Sequence, residues 1–73
     1  MIFPAFTLNK MIAIANSNHA HSLTNKLLEI SVLDDINKMN RWFGYYQKVG
    51  EDLGLWTLED VINWVRREKE IKQ

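Results

Sequence analysis

Cysteine is absent from all 73 residues. That excludes disulfides, thiolate zinc sites and cysteine nucleophiles together, and it fits a reducing compartment. Net charge is absent too, because nine basic side chains cancel nine acidic ones. No overall field draws such a chain to nucleic acid or to an anionic membrane, so any binding of that kind has to be local. There is no long hydrophobic run. The apolar opening is interrupted by Asn9 and Lys10 and has no basic residues before it, which makes a poor signal peptide and too short a membrane span. No membrane role and a cytoplasmic setting are therefore expected. The one proline, Pro4, pushes Phe3 toward extended geometry, so residues 1–7 read as an extended arm. Its Ile2, Phe3 and Phe6 need a cover, either from the chain's own helices or from a neighbour.

What is present describes an ordinary folding domain, with 47% hydrophobic and 25% charged residues. A chain of this length makes one domain with a small core, near the size at which help from a partner or from self-association is expected.

Residues 8–15 (LNKMIAIA) suit a helix through Met11, Ile12 and Ala15, although their alternation also suits a short strand. A helix is expected, with Thr7 as its N-cap, because a lone strand finds no partner elsewhere in the sequence. Residues 16–22 (NSNHAHS) compete with helical hydrogen bonding and read as a loop. Its two histidines, His19 and His21, lack companions that would complete a coordination set, so no metal or other cofactor is expected. From Ser22 a second helix follows with Leu23, Leu27 and Ile30 on one face and Leu28 beside them. Ser31 with Asp34 resembles a loose capping box, which predicts a break near Ile30 rather than one rod over residues 22–53.

The sequence signals are densest over residues 31–67, which read as a helical hairpin. Val32, Ile36, Met39, Phe43 and Tyr46 are spaced by four and three, a heptad-like stripe widened by Trp42, Tyr45 and Val49. Gly44 and Gly50 lie inside this helix at a cost of about 1 kcal/mol each relative to alanine, which predicts that a ring or another backbone packs against each. Gly54 is a left-handed C-cap candidate followed by the apolar Leu55. The next helix is signed at once by Thr57 as N-cap, Asp60 at the third position and Trp56 placed to staple onto Val61. Leu58, Val61, Ile62 and Val65 are its expected buried face, with Trp64 at the edge and residues 68–73 fraying into solvent. The fold class predicted is all-α, a small bundle of three to four short helices ending in an αα-hairpin.

The string NRWFGYYQ at residues 40–47, followed by LGLWTLEDV at residues 53–61, resembles small uncharacterised bacteriophage and prophage proteins in which an RW-x-G-Y-x-Q helix leads into an LG-x-aromatic-T-L-(D/E) turn. The resemblance covers about half the chain and excludes residues 1–33. Lys48, Glu51 and Asp52 depart from the smaller or apolar residues of that pattern. It implies a helical hairpin and a mobile-element origin, and no activity transfers with it.

An enzyme is not expected, because Asp34, Asp35, Glu59 and Asp60 fall at helix starts, where capping accounts for them. The large aromatics exceed what so small a core accommodates. Trp42, Phe43, Tyr45, Tyr46 and Trp56, with Arg41, are therefore the candidate protein-binding residues, since Trp, Tyr and Arg dominate interfaces. The first functional expectation is a phage or mobile-element accessory protein that binds a host or defence protein as inhibitor or adaptor. A homodimer is also expected, through Trp42, Phe43, Tyr46 and the arm. The alternative is a small helix-turn-helix-like DNA-binding regulator using Arg66, Arg67 and Lys69. Against it, Glu59 and Asp60 lead the helix that would enter the groove, and residues 31–60 hold six acids against Lys38, Arg41 and Lys48. That acidic middle suits a basic protein surface better than DNA.

Overall fold

The computed structural model describes residues 4–71, the last by its backbone alone. Among them lie four helices: α1 (Ala5–Ser17), α2 (His21–Ile30), α3 (Ile36–Asp52) and α4 (Leu58–Ile71). The architecture is all-α. Residues 8–15 are helical rather than extended, and α1 begins earlier than Thr7, so the expected arm is helix from Ala5 onward and its residues 1–3 lie outside the described residues.

The early start of α1 has a cause at the far end of the chain. No side chain of its own caps it. Instead the Glu68 carboxylate on α4 accepts the backbone N–H of Phe6 at 3.0 Å and of Thr7 at 2.9 Å, together with the Thr7 hydroxyl at 3.2 Å. A carboxylate on the first-turn N–H groups satisfies donors that a helix leaves unpaired, and it meets the positive end of the macrodipole. Thr7 is thus a buried first-turn residue, and Glu68 is buried in α4 rather than part of a frayed tail.

The α1–α2 connection is a Schellman turn. The Ala20 N–H donates to the Ala15 carbonyl and the His19 N–H to the Asn16 carbonyl, with His19 left-handed at φ 59°. The α2–α3 break falls at Ser31 as expected, where the Ser31 hydroxyl donates to the Leu28 carbonyl at 2.6 Å. The cap of α3, however, is Asp35 and not Ser31. Asp35 Oδ1 accepts from the N–H of Asn37 at 2.9 Å and of Lys38 at 3.4 Å. Val32 therefore precedes α3 and is 77% exposed, and Ile36 stays partly exposed. Of the predicted stripe, Met39, Phe43, Tyr46 and Val49 pack toward the core.

Between α3 and α4 the chain turns as the sequence indicates. Gly54 has φ 76°, with the Leu55 N–H on the Gly50 carbonyl and the Gly54 N–H on the Glu51 carbonyl. Thr57 and Asp60 then cap α4 reciprocally, Thr57 N–H to Asp60 Oδ2 at 3.0 Å and Asp60 N–H to Thr57 Oγ1 at 3.1 Å. Gly54→Val is expected to cost more than about 1 kcal/mol, since a β-branched residue is strained at positive φ; an unchanged melting temperature would count against the turn. Thr57→Ala should cost about 0.5–2 kcal/mol in urea titration through loss of the cap acceptor.

The core is assembled around α1 rather than around the α3–α4 pair. Leu8, Met11 and Ala15 of α1 meet Leu23, Leu27 and Ile30 of α2, with Phe43, Trp56 and Val61 completing the cluster. The main helix packing runs α3 on α2, α2 on α1 and α1 on α4. Because α4 faces α1, its inward stripe is Val61, Trp64, Val65 and Glu68, spaced by three, one and three. Leu58 and Ile62, expected in the core, are exposed instead. The result is a slab of 33 × 26 × 17 Å. Its thin dimension limits how many large rings find cover.

Candidate protein-binding groove

The residues of interest stand on α3, whose 3.6-residue period separates its neighbours in sequence by about 100°. Phe43 and Gly50 take the inward side, while Trp42 and Tyr45 are 42% and 60% exposed. Trp42 and Tyr46, one turn apart, stack at 5.8 Å between ring centroids with planes 13° apart. Tyr45 stands edge-on to both, 6.4 Å from Trp42 and 4.8 Å from Tyr46. Each ring restricts the rotamers of the others, so the cluster is ordered before anything binds and loses little side-chain entropy on contact.

This cluster forms one wall of a groove of about 280 Å³ between α2 and α3. Ile30, Leu33, Trp42 and Tyr46 make the apolar part, and Lys26, Glu29 and Lys38 stand with them. A second depression of about 400 Å³ adjoins it and is lined by Arg41, Trp42, Tyr45 and Tyr46. Glu29 is paired with Lys26 at 3.5 Å. Among the described residues neither Lys38 nor Arg41 has an ion pair, and the Trp42 indole N–H and the two tyrosine hydroxyls have no hydrogen-bond partner. Of the six acids in residues 31–60, Asp35 and Asp60 cap helices, Asp35 on the N–H groups of Asn37 and Lys38, and Glu51 accepts from Gln47 Nε2 at 3.2 Å. The groove and the depression are lined by three cations and one anion, although residues 31–60 are acidic as a whole.

Of the six candidate binding residues, Arg41, Trp42, Tyr45 and Tyr46 converge here. Phe43 and Trp56 do not. Phe43 turns toward the core, and Trp56 is 3% exposed because its ring lies over Gly50 while its indole N–H donates to the Gln47 carbonyl at 3.0 Å. Sequence reasoning missed Lys26, Ile30, Leu33 and Lys38, since nothing in the α2 pattern reveals that α2 lies against α3. It also missed the exposed Leu53, Leu58 and Ile62 near the α3–α4 turn.

The alternative residues Arg66, Arg67 and Lys69 are exposed on α4; Arg66 and Lys69, three apart, share a face, and Arg67 stands on another. Arg66 shares its stripe with Glu59 and Glu70, at spacings of seven and four. Arg67 joins Lys10, Phe6, Asn63 and Trp64 around a shallow dish between α1 and α4. His19 and His21 sit at the α1–α2 turn with ring centroids 5.9 Å apart, and among the described residues no three His, Asp or Glu gather as a metal cluster would require. No described helix is long and apolar enough to cross a membrane.

Compared with known proteins, the chain matches no family model, no curated protein and no solved structure.

Proposed function

We propose that this chain is a small accessory protein of a phage or mobile element that acts by binding another protein, as an inhibitor or adaptor, through the α2–α3 groove. The observation that carries the reading is the exposed, mutually packed ring cluster of Trp42, Tyr45 and Tyr46 beside Arg41. Exposed large rings cost solubility on a surface with no use for them, and tryptophan, tyrosine and arginine are the residues that supply interface hot spots. A catalytic reading has less support, because the acids with assigned partners serve helix ends and a neighbouring side chain.

The test is capture of host proteins on the immobilised wild-type chain and on a Trp42→Ala, Tyr45→Ala variant of unchanged helix content. A protein retained by the first and lost by the second supports the reading. The same captured set on both chains removes it. Binding to duplex DNA that weakens steeply with salt and survives the double substitution would move function to Arg66, Arg67 and Lys69. The expected homodimer would use the same face, without Phe43. Sedimentation equilibrium at tens of micromolar decides it, since a monomer mass of 8.6 kDa leaves the groove to a foreign partner.

A further inference from the structure

We infer that the occupant of the α2–α3 groove is an acidic amphipathic segment of the partner protein. Its apolar side chains would lie on Ile30, Leu33, Trp42 and Tyr46, and its carboxylates would meet Lys38 and Arg41. The inference rests on the protein-binding reading above and adds the chemistry of the partner.

Three observations carry it. The groove and its adjoining depression are lined by three cations, Lys26, Lys38 and Arg41, against one anion, Glu29, and that anion is already paired with Lys26. On a chain whose charges cancel overall, this lining leaves two cations in excess, Lys38 and Arg41, beside an apolar floor. Next, the polar groups at the mouth are rich in donors: the Trp42 indole N–H, the Lys38 ammonium and the Arg41 guanidinium donate only, and both tyrosine hydroxyls donate readily. A partner complementary to that set is rich in acceptors and negative, which describes carboxylates. Finally, the rings use their faces on one another, Trp42 against Tyr46 at 5.8 Å and Tyr45 edge-on to both. A single-stranded nucleic acid, the other acidic polymer, binds by stacking bases on free ring faces. The faces here are partly spent, while the apolar floor of Ile30 and Leu33 suits aliphatic or aromatic side chains set along a helix.

The experiment uses the full chain and a dye-labelled helical peptide with leucines at every third and fourth position and flanking glutamates. A matched peptide with flanking lysines and an oligothymidylate serve as comparisons. Fluorescence anisotropy is expected to show binding of the acidic peptide, at least about tenfold weaker binding of the lysine peptide, and a loss of affinity as salt is raised. Lys38→Glu with Arg41→Glu, both exposed positions, should abolish binding of the acidic peptide and install binding of the lysine peptide. Equal binding of the two peptides, binding of neither, or binding of the oligothymidylate alone would each overturn the inference. So would a sedimentation mass that places a second copy in the groove. A captured protein that depends on Trp42 but survives the charge reversal would also overturn it, while leaving the protein-binding reading intact.

Discussion

Glu68→Ala should destabilise this domain by about 2–4 kcal/mol, because it strips the acceptor from two first-turn N–H groups and from the Thr7 hydroxyl at a site with little access to water. Hydrogen bonds to a charged group contribute about 1.5–3 kcal/mol each, and the three share one carboxylate, so the sum is not additive. For a chain of this length total stability is roughly 4–11 kcal/mol at 0.05–0.15 per residue, so the loss is a large share of it. Glu68→Gln keeps an acceptor oxygen but loses the charge opposite the helix terminus, and it should recover part of the deficit. Urea titration of the three proteins measures the order, wild type above Gln above Ala. Amide exchange at Phe6 and Thr7 gives the local reading. If Ala and Gln were equal to wild type, the Glu68 carboxylate would not be what holds the start of α1.

That clamp also marks where the sequence was opaque. Residues with partners close in sequence could be read directly: the Thr57–Asp60 box spans three residues, Gly54 needs only its own turn, and the Ser31 break follows from a change in local preference. Glu68 sits 61 and 62 residues from its partners, in a run of mixed charge that on composition alone belongs to solvent. The same holds for α1. Its apolar positions fit a helix or a strand, and what decides the matter is that it lies between α2 and α4 and supplies Leu8, Met11 and Ala15 to the core. On α4 the periodicity was right and the phase wrong, because the inward stripe is set by α1, not by α3.

The candidate site was legible by half for the same reason. Arg41, Trp42, Tyr45 and Tyr46 are adjacent on one helix, and their residue types announce an interface. The opposite wall, Lys26, Ile30 and Leu33, comes from another element, so the sign of the local charge could not be read until α2 and α3 were placed together. Summing charge over residues 31–60 suggested a basic partner. With Lys38 and Arg41 lining it outside any ion pair among the described residues, the groove itself favours an acidic one.

The two glycines of α3 give the sharpest contrast in expected outcome. A methyl group at Gly50 would overlap the six-membered ring of Trp56, whereas one at Gly44 meets open space, contrary to the close packing expected at both. Gly44→Ala should therefore stabilise by about 0.5–1 kcal/mol through helix propensity alone. Gly50→Ala gains the same propensity but must displace a buried indole that also donates to the Gln47 carbonyl. Overpacking of this kind costs about 1–3 kcal/mol, and loss of the ring from its site more, so a net loss of about 2–4 kcal/mol is expected. A double-mutant cycle isolates the contact. In a Trp56→Ala background the penalty at Gly50 should vanish and the substitution become neutral or stabilising, with a coupling of at least about 2 kcal/mol. Should Gly50→Ala remain as costly without the indole, the ring would not be what requires glycine there, and the shelf that keeps Trp56 in the core and out of the binding groove would have to be assigned to other residues.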